Sequence, residues 1–284
     1  MTQNTNAFVY AVTGNEHIEQ VNSSLRFLKR FSRQEIVVVA ARFDNAVHHD
    51  QVIHVDVASQ YDNHQASILL KTGLHRIVDM GERTCCYIDS DVIAVHEGVQ
   101  QIFQHKNGPV TFAADHTRLS RFSRYAVRCS CVKGQCDHLR EAIASKFGIV
   151  VSDPEWQHWN GGVFLFDSDS VEFLDTWHTY TREIFDDPDW RTRDQGTLVA
   201  TVWRHGLQDQ ETLPSTYNYI VDGMRGIPEE KRALARPETY HIDETYSLDA
   251  LSSRPHPYFL HFINGTGASG WRNWDEAEAR LHSA

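Results

Sequence analysis

Short apolar runs alternate with helical patterns along the first third of the chain. Residues 7–12 and 35–40 have the nearly continuous apolar, β-branched composition of buried parallel strands. Between them, residues 18–31 carry apolar positions every three or four residues, as an amphipathic helix does. Residues 51–57 alternate polar and apolar positions and predict a third, flanking strand. This order predicts an α/β fold with a mainly parallel sheet and crossover helices.

The strongest helical pattern covers residues 66–80, and Lys71 lies beside its apolar face. That face consists of Leu70, Leu74, Ile77 and Val78. A strand pattern at 84–88 follows and leads directly into Asp89-Ser90-Asp91. Ligands of open α/β sheets bind beyond the carboxyl ends of the strands. The tripeptide therefore lies where such a sheet would place a site.

The rest of the chain is less regular. Strands are predicted at 109–114, 161–166 and 258–262, and helices at 171–185 and 195–205. Residues 116–148 do not continue the alternation of strand and helix patterns and are rich in Arg and Cys, so we interpret them as an insertion. No internal repeat or low-complexity linker divides the chain, which favours one domain.

Composition and charge narrow the classes of function. The 284 residues are 41% hydrophobic, and 27 Lys and Arg against 38 Asp and Glu give a formal net charge of -11. This acidic balance argues against nucleic acid as a partner, so none is expected. No apolar run approaches the roughly 18 residues of a transmembrane segment, and no signal peptide is recognisable. The five clustered cysteines do not resemble a disulfide framework, and we expect a cytoplasmic protein.

Asp89 and Asp91 are candidate metal ligands. On an extended backbone, two carboxylates two residues apart face the same side and can share one hard cation such as Mg²⁺ or Mn²⁺. Such a cation would let an acidic protein hold a diphosphate and would neutralise that group as it leaves. The alternative is a solvated turn, but two unpaired charges at the end of a buried strand would be costly.

Four segments resemble, in the same order, the motifs of a known enzyme family. They are Tyr87-Ile88-Asp89-Ser90-Asp91-Val92, the strand at 159–166 that begins Trp-Asn-Gly-Gly, Arg193-Asp194-Gln195-Gly196, and His261-Phe262 followed by Gly265 and Trp271. Together they are similar to GT-A-fold glycosyltransferases, most of all to the retaining family 8 of the glycogenin and lipopolysaccharide galactosyltransferase type. The resemblance implies a Rossmann-like, mixed but mainly parallel sheet with flanking helices.

The resemblance also implies an activity and roles for single residues. A hexose would pass from a UDP-sugar to a hydroxyl acceptor, a glycan or small molecule, with retention at the anomeric carbon. Asp89, Asp91 and His261 would ligate Mn²⁺ or Mg²⁺, and Asp194 and Gln195 would be catalytic. The nucleotide sugar would contact Val12, Thr13, Asn15, Lys71, Ser90, Asp115, Asn160, Gly161 and Gly265. The single domain, 1–284, would comprise a nucleotide-binding half (1–115), the insertion (116–148) and a sugar and acceptor half (149–284).

The sequence departs from the family pattern at two places. Ser269-Gly270 stand before Trp271 where the family has Lys and Pro, and Gly196 replaces the second Asp of the Asp-Gln-Asp segment. His261 could instead be a core histidine, and Asp194 a helix N-cap. An inverting glycosyltransferase with Asp194 or Asp115 as general base, a sugar-nucleotide nucleotidyltransferase and a non-catalytic nucleotide-sugar-binding protein remain alternatives. The nucleotidyltransferase lacks its expected glycine-rich, basic loop after the first strand.

Cys129, Cys131, Cys136 and His138 form a separate cluster in the insertion. Three thiolates and an imidazole are an acceptable set of Zn²⁺ ligands, but the spacing is shorter than in standard zinc fingers. We therefore expect reduced, unliganded cysteines here, with a Cys131–Cys136 disulfide only in an oxidising compartment. Four arginines in the same segment form a basic patch that we interpret as a solvated helix face, the alternative being contact with an anionic acceptor. They are Arg118, Arg121, Arg124 and Arg128.

Overall fold

The structure, a computed structural model, describes residues 6–131, 135–222, 240–241, 257–263, 278–279 and 281–282. Its strands are β1 (Ala7–Thr13), β2 (Glu35–Ala41), β3 (Val52–His54), β4 (Cys85–Ile88), β5 (Val92–Ala94), β6 (Val110–Ala114), β7 (Trp159–Phe166), β8 (Tyr219–Asp222), β9 (Tyr240–His241) and β10 (Phe259–Ile263). Its α-helices are α1 (Asn15–Phe31), α2 (Asn63–Thr72), α3 (Leu119–Ala126), α4 (His138–Phe147), α5 (Val171–Glu183) and α6 (Asp194–Arg204). Short 3-10 helices lie at Leu74–Arg76, Glu97–His105, Ser168–Ser170 and Ser215–Tyr217.

The strands form two sheets that meet near Asp89 and Asp91. The central six-stranded sheet has the order β3-β2-β1-β4-β7-β6, in which the first four strands are parallel and β7 is antiparallel to both of its neighbours. The second sheet has the order β5-β10-β8-β9, with β5 antiparallel to β10. The predicted α/β class with a mixed, mainly parallel sheet is confirmed.

Both faces of the central sheet are buried, which explains the continuous apolar runs of its strands. On β1, Phe8 and Tyr10 point to a core shared with α1 and the second sheet. Ala7 and Val9 point to the opposite core, which contains residues of α2, α5 and α6. The side-chain period of two along a strand thus divides one apolar run between two cores.

The helix predicted over 66–80 is wrong at its carboxyl end. α2 ends at Thr72, and after Gly73 the chain continues as the 3-10 helix Leu74–Arg76. A Cβ on Gly73 would lie 2.9 Å from the carbonyl oxygen of Leu69 and 3.2 Å from the imidazole of His178 on α5. Leu74 and Val78 are nevertheless buried, so the apolar period identified these buried side chains correctly, although the backbone changes to a 3-10 helix after Gly73.

Smaller differences concern the strand bounds and residues 116–148. β3 is shorter than the predicted strand at 51–57, and β7 begins two residues earlier than predicted, at Trp159. Residues 116–148 contain α3 and α4, which bury Leu119 and Leu139 in the same core as α6. None of the described helices has the length and apolar character required to cross a membrane.

Phe164 tests the packing of the central sheet. Its ring is fully buried on β7 and lies 4.6 Å from the ring of Phe112 and 5.0 Å from that of Tyr87, between ring centroids. We expect Phe164→Ala to lower the free energy of unfolding by about 3–5 kcal/mol, because it leaves a cavity among rings that cannot collapse. Urea denaturation measures this, with Val150→Ala, at a 75% exposed side chain, as the control. A loss no larger than that of the control would contradict the packing.

Candidate active site

The Asp89-Ser90-Asp91 tripeptide forms a turn that connects the two sheets. The backbone N–H of Val92 donates to the carbonyl of Asp89 (3.1 Å), and the N–H of Asp89 donates to the carbonyl of Gly162 (2.9 Å). The extended backbone assumed for Asp89 and Asp91 is therefore wrong. Their carboxylates converge because the chain turns from β4 into β5.

His261 completes a cluster with these two carboxylates. It lies on β10 opposite Val92 of β5, so strand pairing brings it beside Asp91. One ligand atom from each of Asp89, Asp91 and His261 lies within 4.8 Å of the others. Burial alone would lower the pKa of His261, but Asp91 raises it. Two carboxylates and an imidazole suit Mn²⁺ or a similar divalent cation, so these residues fit the metal that the motifs imply.

A directed chain of hydrogen bonds orients the imidazole of His261. The carboxylate of Asp115 can only accept, so Asn160 must present its amide NH₂ group to Asp115 Oδ2 (3.0 Å). The carbonyl oxygen of Asn160 then accepts from the NH₂ group of Asn218 (3.0 Å). This leaves the carbonyl oxygen of Asn218 to accept from His261 Nδ1 (2.8 Å). His261 therefore carries its proton on Nδ1 and keeps the Nε2 lone pair for a metal.

Asp115 also orients Gln195. The NH₂ group of Gln195 donates to Asp115 Oδ2 (2.9 Å), while the N–H and hydroxyl of Thr117 donate to Oδ1 (3.0 and 3.1 Å). Burial alone would raise the pKa of Asp115, but the imidazoles of His116 and His158 and the donated hydrogen bonds hold it well below its usual range. Asp115 is thus an ionised acceptor with both oxygens in use, and the carbonyl oxygen of Gln195 is directed away from it.

Lys71 joins the cluster to Asp194. Its Nζ lies 2.9 Å from Asp194 Oδ2 and 3.3 Å from Asp89 Oδ1, and it lies over the ring of Tyr87. Burial alone would lower the pKa of Lys71, but Asp194 and Asp89 raise it above its ordinary value. Asp194 is the first residue of α6, and Arg193 rather than Asp194 occupies the N-cap position, which disfavours the N-cap alternative. The carboxylates of Asp89, Asp91 and Asp194 exceed the ammonium group of Lys71 by two charges, which a divalent cation would balance.

Gly161 and Gly162 give the site its close approach of backbone to side chains. Between Phe112 and Ala113 the pairing of β6 with β7 shifts register, and the two glycines lie in the unpaired stretch of β7. A Cβ on Gly162 would lie 2.3 Å from Cε1 of His261, and one on Gly161 would lie 3.1 Å from Nζ of Lys71. Only glycine leaves room for His261 here.

The residues predicted to contact the nucleotide differ in whether their polar groups already have hydrogen-bond partners. The hydroxyl of Thr13 is buried and has no hydrogen-bond partner among the described residues, as expected of a group that awaits a ligand. Asn15 Oδ1 accepts from the backbone N–H groups of residues 44 and 45, and Ser90 Oγ donates to Gln20 Oε1 (3.1 Å). The side chain of Val12 lies in the core, and its backbone is paired with Ala40 of β2. Gly265 and residues 269–272 lie outside the described residues.

Sequence reasoning missed Asn218 and the role of Gly162. Asn218 is a polar residue between Tyr217 and Tyr219, just before a strand. Apolar residues usually occupy such a position, so the polar side chain is the one sequence feature that could have indicated its role. Its partners are distant in sequence, so the signal did not indicate a role. Gly162 was read as part of a motif, and its function depends on the position of a histidine 99 residues further along the chain.

Comparisons with solved structures agree with this architecture. The chain superposes on the bifunctional glycosyltransferase WbbM with a TM-score of 0.64 at 11% identity, over 100% of this chain and 50% of that chain. It superposes on the galactosyltransferase LgtC, solved with donor and acceptor sugar analogues, with a TM-score of 0.56 at 12% identity over 98% and 97% of the two chains. For mouse xyloside xylosyltransferase 1 the TM-score is 0.52 at 12% identity, over 92% and 98%.

These likenesses show the fold. The chain has the GT-A fold of these glycosyltransferases, as the motif resemblance predicted. It spans half the length of WbbM and nearly the full length of the other two proteins. No family model matches the sequence, and no curated protein matches it at a significant level.

Asn218 tests the hydrogen-bond chain. We expect Asn218→Ala to weaken Mn²⁺ binding about 10–100-fold, because His261 loses the acceptor that fixes its tautomer and ring orientation. Titration calorimetry with Mn²⁺ measures the affinity, and circular dichroism verifies the fold. Asn22→Ala is the matched control, since Asn22 bonds only to the backbone of residues 46 and 48 at the surface. Equal Mn²⁺ affinities of the two variants would contradict the role of Asn218.

Proposed function

We propose that this protein is a metal-dependent glycosyltransferase that moves a hexose from a UDP-sugar to a hydroxyl acceptor with retention. One observation carries the proposal: the ligand atoms of Asp89, Asp91 and His261 lie within 4.8 Å of one another where the two sheets meet. The GT-A fold, shared with glycosyltransferases, supports the same class of reaction.

The metal would supply Lewis-acid stabilisation of the departing diphosphate. The residues of this chain would hold and orient the reactants around it. Lys71, placed between Asp89 and Asp194, keeps the carboxylate of Asp194 beside the glycines of β7. Gly161 leaves the backbone open to a sugar ring at this point, and Thr13 offers its unpartnered hydroxyl to the nucleotide.

The arrangement of carboxylates favours retention. Inversion requires a general base beside the acceptor hydroxyl. Asp89 and Asp91 belong to the metal cluster, both oxygens of Asp115 accept from donors, and Asp194 is paired with Lys71. Among these described carboxylates none is free to take a proton from an acceptor, which supports attack on the same face that the diphosphate leaves.

Gln195 is proposed to line the reacting centre. Its NH₂ group is committed to Asp115, so its carbonyl oxygen is the group available to a substrate. A fixed carbonyl dipole directed at an anomeric carbon stabilises the positive charge of an oxocarbenium-like transition state. The low pKa of Asp115 keeps this orientation, because an ionised carboxylate cannot donate to Gln195.

We propose that the whole described chain acts as one domain, 1–284, with the nucleotide in the half formed by residues 1–115 and the sugar and acceptor in residues 149–284. LgtC, whose fold this chain shares, was solved with donor and acceptor sugar analogues. A likeness in fold to such a protein supports a sugar donor and a sugar-like acceptor for this chain as well.

Turnover of UDP-sugars tests the metal cluster. We expect hydrolysis of, or transfer from, at least one UDP-hexose, and we expect this turnover to require Mn²⁺ or Mg²⁺. Asp89→Asn, which keeps the shape of the side chain but removes its charge, should lower the turnover rate about 100-fold or more. UDP release is the measurement. Asp175→Asn is the matched control, because Asp175 pairs with His75 and Arg76 away from the cluster. Binding without turnover for every UDP-sugar would favour the non-catalytic alternative.

The anomeric configuration of the product tests retention. Once a donor and acceptor are found, proton NMR of the first product formed distinguishes the two anomers before they equilibrate. We expect the configuration of the donor to be preserved, because no described carboxylate of the site is available as the base for inversion. A product of opposite configuration would overturn this part of the proposal.

A further inference from the structure

A second cluster of metal-binding side chains lies in the segment that connects α3 to α4. Cys129 and Cys131 follow α3, Cys136 precedes α4, and His138 is the first residue of α4. One ligand atom from each lies within 4.8 Å of all the others. The remaining cysteines, Cys85 and Cys86, are buried on β4 and do not belong to this cluster.

Three of the six distances between ligand atoms in this cluster are close to the edges of a tetrahedron around one zinc ion. With Zn–S bonds of about 2.3 Å and Zn–N bonds of about 2.1 Å, tetrahedral edges measure about 3.8 Å between sulfurs and about 3.6 Å between sulfur and nitrogen. Cys129 Sγ and Cys136 Sγ are 3.7 Å apart. His138 Nδ1 is 3.6 Å from Cys131 Sγ and 3.3 Å from Cys136 Sγ. Three pairs thus approach the expected edges at once.

A disulfide explains this geometry less well. The Cys131–Cys136 disulfide considered from the sequence is not formed, because all three cysteines are free. A Cys129–Cys136 disulfide would need its sulfurs about 2.0 Å apart, whereas they are 3.7 Å apart. A disulfide would also not explain why the third thiol and the imidazole of His138 point to the same place. The sequence favoured unliganded cysteines because the spacing is short, but the fold brings both Cys-x-Cys and Cys-x-His to a common centre.

We propose that Cys129, Cys131, Cys136 and His138 bind one structural Zn²⁺. Four protein ligands close the coordination shell and leave no position for a substrate, so the ion stabilises structure rather than taking part in chemistry. The inference does not depend on the proposed glycosyltransferase activity, since it uses none of the same residues.

The proposed zinc site would stabilise the position of residues 189–190, which precede Asp194 and α6. Val127 and Trp190 form a β-bridge, and the N–H of Arg128 donates to the carbonyl of Asp189 (2.8 Å). On the other side, the N–H of Cys136 donates to the carbonyl of Ser120 on α3 (2.9 Å). An ion bound between residues 129 and 138 therefore links α3 and α4 to residues 189–190, a few residues before α6 begins.

Metal analysis of the full-length, untagged protein tests the proposal. We expect about one Zn²⁺ per chain by plasma mass spectrometry after dialysis, and loss of this zinc in Cys129→Ser and Cys131→Ser. Cys85→Ala, which also removes one cysteine, should retain it. An Asp89→Asn, Asp91→Asn double variant should retain it too, which separates this site from the first cluster. Zinc that survives both cysteine substitutions, or a protein that takes up none when it is supplied, would overturn the proposal.

A second measurement does not depend on the folding of any variant. Replacement of zinc by Co²⁺ in the wild-type protein should give the intense visible bands of tetrahedral cobalt together with thiolate charge-transfer absorption. Removal of zinc by a chelator should lower the melting temperature by about 5 °C or more, and added Zn²⁺ should restore it. An octahedral cobalt spectrum, or a disulfide found by mass spectrometry of the protein alkylated without reductant, would refute the site.

Discussion

Asp115 is a buried carboxylate that can only accept hydrogen bonds, and this constraint sets the direction of the hydrogen bonds that lead through Asn160 and Asn218 to Nδ1 of His261. Asn160 must turn its NH₂ group toward Asp115, Asn218 must then turn its NH₂ group toward Asn160, and Asn218 can only accept from the ring of His261. The tautomer of His261, a candidate metal ligand on β10, is therefore fixed through hydrogen bonds that begin at Asp115, at the end of β6. Gln195 is oriented by the same carboxylate.

Charge balance is the second requirement that shapes the site. Asp89, Asp91 and Asp194 lie close together, and Lys71 alone cannot neutralise them. Buried charges remain stable only when they are paired or bind a metal. The proposed divalent cation satisfies this requirement, and Gly161 and Gly162 supply the space in which the side chains and the backbone can approach each other.

The two proposed metal clusters differ in chemistry and in purpose. Carboxylates and one imidazole at the junction of the sheets suit a hard, exchangeable cation that also binds phosphate oxygens. Thiolates and one imidazole between α3 and α4 suit Zn²⁺ with a closed shell. The second cluster lies where α3 and α4 pack beside the start of α6, the helix that carries Asp194 and Gln195.

The sequence by itself determined the α/β class and most of the buried strands, though not β5 or β8, because a side-chain period of two or 3.6 is a local property. It also predicted Asp89, Asp91, His261 and Lys71 as site residues, and the structure brings their side chains together. Tertiary structure alone decided the rest. α2 ends where Gly73 packs against the ring of His178, and the turn at Asp89 lies where the chain passes from one sheet to the other. The roles of Asn218 and Gly162 depend on contacts between segments far apart in sequence, which no local pattern records. The convergence of Cys129, Cys131, Cys136 and His138 depends on how the chain runs from α3 to α4, which their short spacing alone does not show.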